Sequence, residues 1–112
     1  MKINLFVIFI ILIGYLTAIA GDTVNLPANS RIFFSEADCF EVIKLHYNWN
    51  IDFAARVREM GKNGKFIKYP HNVPVEIIET KNYRMFNYYK VSIYNSQKKQ
   101  YETFWTDTDR LE

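Results

Sequence analysis

The C-terminal third of the chain alternates apolar and polar residues in a pattern that predicts an antiparallel β-meander. Three segments rich in β-branched and aromatic residues are separated by polar connections. They span residues 73–80, 88–94 and 100–106. In the middle segment, Tyr89, Val91 and Ile93 fall on one side of an extended chain, and Lys90 and Ser92 fall on the other. This period-two alternation is typical of a strand with one buried face.

Two helices are predicted before the meander, where the apolar spacing changes to a helical period. Ser35 is a favourable N-cap residue, and Asp38 three positions later completes a capping box at the start of the first helix. The helical pattern ends near Asn48. The second helix is predicted to begin at Asn50 and to end at Gly61, which lies where a left-handed C-cap residue belongs.

Shorter segments complete the predicted order of elements. Apolar residues at 31–34 predict the first strand, and 65–69 predicts a second short strand after the helices. Residues 21–30 lack periodicity and are interpreted as a lead-in to a single domain at 31–112. A final helical turn is predicted at 107–111.

Residues 1–20 differ from the rest of the chain and predict a secretory signal. Lys2 precedes an almost unbroken apolar run at 5–16, and Ala18 and Ala20 then form a signal-peptidase pattern. Cleavage after Ala20 predicts an exported protein, either periplasmic or secreted. The alternative is an uncleaved helix that anchors a structural protein in the membrane, because the run is almost long enough to cross a bilayer.

The charge balance excludes two classes of partner. The chain has 14 Lys and Arg residues and 12 Asp and Glu residues. Removal of the signal takes away only Lys2, which leaves 13 basic residues against 12 acidic ones and a formal net charge of +1. So small a charge gives no electrostatic basis for binding nucleic acid or an anionic membrane surface. The membrane is a partner only if the signal is uncleaved.

No catalytic, metal-binding or cofactor-binding arrangement is predicted. Cys39 is the single cysteine and is interpreted as a buried apolar residue; on one helix, His46 would lie roughly 10 Å from it. The two histidines and one cysteine lack the paired spacing of a zinc site. The acidic cluster of Glu102, Asp107 and Asp109 is interpreted as solvated or as helix caps. A small hydrolase that uses Cys39 or these acids is the alternative function.

Residues 68–79 read Lys-Tyr-Pro-His-Asn-Val-Pro-Val-Glu-Ile-Ile-Glu, and Tyr-Lys-Val-Ser-Ile at 89–93 and Phe104-Trp105 follow. This order resembles bacterial SH3-like small barrels, in which a Val-x-Val strand precedes a Lys-Val strand and a strand ending in tryptophan. The helical segment is similar to that of small exported, mostly uncharacterised bacterial proteins. The resemblance implies an α+β fold: a small antiparallel SH3-like β-barrel with a two-helix insertion after its first strand, preceded by the signal helix.

Aromatic residues on or beside the meander predict the contact surface. Exposed aromatic residues next to a sheet commonly bind peptides or sugars, although small barrels also use them as cross-strand pairs. The segment from Tyr83 to Phe86 is predicted to be a loop between strands. The predicted partner-binding residues are Tyr83, Phe86, Tyr88, Tyr94 and Trp105. We therefore expect a non-enzymatic binding module of the cell envelope whose partner is a protein or a cell-wall component.

Overall fold

The computed structural model describes residues 20–48, 52–108 and 111, and within them the chain forms one antiparallel sheet of six strands and two helices. The strands are β1 (Thr23–Leu26), β2 (Ile32–Phe33), β3 (Phe66–Ile67), β4 (Val73–Tyr83), β5 (Phe86–Asn95) and β6 (Gln100–Thr106). The helices are α1 (Glu36–Tyr47) and α2 (Phe53–Lys62). The strand order β1-β4-β5-β6-β2-β3 gives a curled half-barrel, so the predicted α+β class and antiparallel meander are confirmed.

The first strand of the sheet lies where the sequence predicted an irregular lead-in. β1 pairs with the start of β4, from Thr23 opposite Glu76 to Leu26 opposite Val73. The sequence pattern missed it because only two apolar residues alternate in this segment before Pro27 ends it. The two helices therefore follow the second strand, β2, and the prediction that they follow the first strand was wrong.

The inner face of the sheet is a continuous apolar core. Tyr89, Val91 and Ile93 of β5 are buried on this face, which confirms the predicted alternation. The full cluster comprises Leu26, Ile32, Val73, Val75, Ile77, Tyr89, Val91, Ile93 and Phe104. Leu111 packs against the same cluster, while most of the predicted terminal turn around it lies outside the described residues. The curl of the sheet encloses this core, so it forms the interior of the half-barrel.

A β-bulge in β4 changes which of its residues face the interior. The register passes from Ile77 opposite Val91 to Glu79 opposite Lys90, and Ile78 is the extra residue between them. Because side chains alternate along a strand, one additional residue turns the odd-numbered positions of β4 from the inner to the outer face. The end of β4 is thereby directed toward the helices.

The helices cover one end of the outer face and create a second core. This core contains Phe33, Cys39, Val42, Ile43, Met60, Tyr88 and Trp105. At the start of α1, the Ser35 hydroxyl accepts a hydrogen bond from the Asp38 N–H at 3.2 Å, and the helix ends at Tyr47 with Asn48 as its cap. Both predicted ends of the first helix are confirmed.

The end of α2 differs from the prediction. The helix continues through Gly61 to Lys62, and the left-handed residue is Gly64, with φ of 72°. A Cβ atom at position 61 would lie 3.0 Å from the Phe66 ring. Glycine is therefore favoured there because the Phe66 ring packs closely against the helix, and not because the helix ends there. The predicted start at Asn50 lies outside the described residues, and α2 follows Asp52.

A polar contact fastens α1 to the sheet beside the second core. The Glu36 carboxylate accepts hydrogen bonds from Lys81 Nζ at 2.7 Å and from the Tyr88 hydroxyl at 3.2 Å. The hydrogen bond from Lys81 lowers the pKa of Glu36, because an ammonium donor favours the charged carboxylate. The bulge in β4 makes this contact possible, since it turns Lys81 outward.

The predicted signal at 1–20 lies outside the described residues except for Ala20, so the signal helix and its cleavage stay predictions. Within the part of the chain that the structure describes, no helix is long and apolar enough to span a membrane.

Candidate functional site

The segment predicted as a contact loop is the end of a tight hairpin. Tyr83 of β4 pairs directly with Phe86 of β5, and only Arg84 and Met85 lie between them. The loop prediction was therefore wrong. Arg84 adopts a left-handed conformation, with φ of 59°. Such a turn usually has glycine or asparagine at this position. Because arginine stands there instead, the local sequence did not indicate a tight turn.

The rings at this hairpin pack against α1. Tyr83 lies edge-on to Phe40 and Tyr47, with ring centroids 5.0 and 5.7 Å apart respectively. Phe86 contacts His46 at 5.1 Å. These contacts leave both hairpin rings only partly exposed, and they hold the hairpin on the helix.

Two of the other predicted contact residues belong to the second core. Tyr88 and Trp105 are buried beneath α1, and their ring centroids lie 5.7 Å apart. Both side chains lie on the outer face of the sheet, in the part that the helices cover. Their burial removes both from the surface that a partner would meet.

Tyr94, the fifth predicted residue, lies on the uncovered part of the outer face. Its cross-strand partner is Tyr101. The two side chains are 53% and 69% exposed, and their ring centroids are 5.1 Å apart at an interplanar angle of 57°. We call these residues the tyrosine pair. Tyr101 was not among the predicted contact residues. The feature that could have indicated it is the hairpin register, which places Tyr101 opposite Tyr94.

A shallow depression of about 210 Å³ adjoins the tyrosine pair on the outer face. Its other lining residues are Thr23, Pro74, Val75, Glu76 and Ser92. β1, β4 and β5 contribute this surface together, so it depends on the strand that the sequence analysis missed. The tyrosine pair and this depression form one exposed surface with hydroxyl, carboxylate and ring groups.

A larger cavity of about 440 Å³ opens at the end of the half-barrel interior. We call it the mouth. Val73, Ile93 and Phe104 line its base, and Tyr69 and His71 line one side. The hairpin between β5 and β6 supplies the opposite side.

That hairpin is ordered by its own polar contacts. The Asn95 side-chain oxygen accepts hydrogen bonds from the N–H groups of Gln97 and Lys98, at 3.0 and 3.1 Å. The Asn95 side-chain amide in turn donates to Glu102 at 2.5 Å. Asn95 thereby fixes the loop and the carboxylate beside the mouth.

Two of the acids considered for catalysis, Asp107 and Glu102, have structural partners. Asp107 was interpreted as solvated or as a helix cap, but it accepts hydrogen bonds from the Arg31 guanidinium at 2.5 and 3.1 Å. That interpretation was wrong because β2 brings Arg31 alongside the end of β6. Glu102 accepts a hydrogen bond from the Asn95 side-chain amide. Asp109 lies outside the described residues. Among the described residues, no three His, Cys, Asp or Glu side chains are grouped so that they could hold a metal ion.

Cys39 is fully buried in the second core, as the sequence analysis predicted. Burial raises the pKa of the Cys39 thiol well above its ordinary value, because desolvation disfavours the charged thiolate. A thiol in this state is a poor nucleophile.

We therefore expect Cys39 to resist modification by a thiol reagent in the folded protein. The measurement is the rate of reaction with Ellman's reagent at pH 8, before and after unfolding in guanidinium chloride. Burial and the high pKa should slow the reaction at least about 100-fold in the folded state. Equal rates in the two states would contradict the buried placement of this thiol.

Comparisons with protein-family models, with curated proteins and with solved structures found no match for this chain.

Proposed function

We propose that this protein is a non-enzymatic binding module that is exported to the cell envelope and contacts a protein or cell-wall partner through the tyrosine pair. The observation that carries the proposal is the exposure of Tyr94 and Tyr101, 53% and 69%, on paired strands of the sheet. Tyrosine is enriched at binding surfaces because its ring gives a large contact area and its hydroxyl can still hydrogen-bond.

The shape of the surface favours a large partner. The depression beside the tyrosine pair holds only about 210 Å³, below the usual range of small-molecule sites, and its lining mixes hydroxyl groups, a proline and the Glu76 carboxylate. A macromolecule can cover such a surface, whereas a small ligand would remain largely in water. The SH3-like resemblance supports the same proposal, since some members of this class of small barrel bind the cell wall. The exported location rests on the signal pattern at 1–20.

The test is retention by the envelope of the producing organism. Insoluble cell wall and solubilised envelope proteins are each incubated with the wild-type protein and with the Tyr94→Ala/Tyr101→Ala double variant. We expect the wild type to be retained in one fraction and the double variant to lose at least about tenfold in affinity, as for other aromatic contact residues.

Met85→Ala is the matched control, because Met85 is also a large exposed apolar residue but lies on the β4–β5 hairpin. It should be retained like the wild type. Equal retention of the double variant and the wild type would refute the proposed contact surface, provided that circular dichroism shows both to be folded.

A further inference from the structure

We propose that the mouth is a separate binding site for a neutral saccharide. The mouth is the open end of the half-barrel interior, whereas Tyr101 projects from the outer face of the sheet. Tyr94, the cross-strand partner of Tyr101, borders both surfaces. The inference rests on the cavity, its aromatic side and its polar rim, and it does not depend on the proposed function.

The interior core is open at this end. Val73, Ile93 and Phe104 are 8%, 7% and 9% exposed, while each of the other six residues of the interior cluster is at most 2% exposed. The residual exposure therefore lies at the base of the mouth. A volume of about 440 Å³ is within the range of small-molecule sites in proteins. Its base is apolar and offers a surface to the C–H groups of a ligand.

One side of the mouth is a stacked pair of rings. The Tyr69 and His71 rings are nearly parallel, with centroids 5.9 Å apart and an interplanar angle of 19°. The Tyr69 carbonyl accepts a hydrogen bond from the Asn29 N–H at 2.8 Å, and Pro70 restricts the backbone between the rings. Sugar rings present C–H groups that pack against aromatic rings, so this side is suited to a pyranose.

The opposite side carries hydrogen-bonding groups. Ser96, Gln97 and Glu102 supply a hydroxyl, an amide and a carboxylate. Glu102 accepts one hydrogen bond from Asn95, and an ionised carboxylate has about four acceptor sites. It can therefore also accept hydrogen bonds from ligand hydroxyl groups. This combination of an apolar base, stacked rings and mixed donors and acceptors matches a polyhydroxylated ring.

The local charges favour a neutral ligand. Lys98 Nζ lies 3.8 Å from the second Glu102 oxygen and compensates its charge. A cationic ligand would compete with Lys98, and an anionic ligand would be repelled by Glu102. A neutral sugar disturbs neither partner, because it hydrogen-bonds to the carboxylate without changing the local charge.

The test is a titration of the ¹⁵N-labelled protein followed by amide chemical shifts. The neutral probes are cellobiose, maltotriose and N,N′-diacetylchitobiose, and glucosamine and glucuronate are the charged comparators. We expect at least one neutral probe to bind with a Kd of about 1 mM, shifting amides at 69–73, 93–97 and 102–104. The charged comparators should bind more weakly than that neutral probe.

Two variants test the assignment of the site. His71→Ala removes one stacked ring, and Glu102→Gln removes the charged acceptor while an oxygen remains for Asn95. Each should weaken binding about tenfold, with unchanged circular dichroism. Tyr101→Ala, which removes the more exposed ring of the tyrosine pair and lies outside the lining of the mouth, should retain the sugar affinity, so failure of this proposal and failure of the proposed function are distinguishable. The absence of shifts at the mouth with every neutral probe would overturn the inference, as would shifts confined to the tyrosine pair.

Discussion

Replacing Phe33 with alanine is expected to lower the free energy of unfolding by about 4 kcal/mol, as for other buried phenylalanines. Phe33 is 0% exposed, pairs with Trp105 across the sheet and lies 5.2 Å from the Phe66 ring. β2 has two residues, so its side chains hold it in place more than its few ladder hydrogen bonds do. The measurement is urea unfolding followed by tryptophan fluorescence.

The neighbouring residue gives the matched control. Phe34 is 56% exposed, although its ring lies edge-on to Phe104 at 5.8 Å. Phe34→Ala should cost less than about 1 kcal/mol, because most of this ring is already in water. Equal losses for the two variants would contradict the placement of Phe33 between the sheet and the helices. A loss of about 4 kcal/mol is a large part of the stability of a small domain.

Local patterns in the sequence were sufficient to predict the elements with strong periodicity. Tyr89, Val91 and Ile93 alternate over one strand, and Ser35 caps the start of α1; both features are confirmed. Each depends on residues within a few positions of one another. The class of fold and the antiparallel meander follow from such features.

Features that depend on distant contacts were missed. β1 is defined by its pairing with β4 more than by its own four residues. Tyr88 and Trp105 were predicted as contact residues and are buried, because alternation along a strand does not show what covers a face of the sheet. Gly61 was interpreted as a helix end, although its role is to admit the Phe66 ring. In each case the determining neighbour lies on another element.

The candidate surfaces were predicted only in part for the same reason. Tyr94 was predicted as a contact residue, while Tyr101 becomes its neighbour only through the register of the β5–β6 hairpin. The mouth joins the segment after β3 to that hairpin. No sequence motif links Tyr69 and His71 to Glu102, so this cavity is visible only in the folded chain.

The junction between β6 and β2 gives the second large stability prediction. One register pair, Phe33 opposite Trp105, joins these strands. Beside it, the Thr106 hydroxyl donates to the Arg31 carbonyl at 2.8 Å, and the Arg31 guanidinium donates to Asp107. Asp107→Ala is therefore expected to lower the free energy of unfolding by about 2 kcal/mol. This loss is smaller than that for removing one partner of a fully buried ion pair, because Arg31 is partly exposed.

A double-mutant cycle in urea unfolding measures the interaction itself. Asp107→Ala leaves the guanidinium without its partner, whereas Arg31→Met/Asp107→Ala removes both charges. The double variant should therefore be less destabilised than the sum of the two single variants, with a coupling energy of about 1 kcal/mol or more. Arg56→Met/Glu41→Ala is the control cycle, because that pair is exposed and should couple only weakly. If the losses at Arg31 and Asp107 simply add, the ion pair does not hold β2 to β6, and the junction depends on the Phe33–Trp105 pair and the Thr106 hydrogen bond.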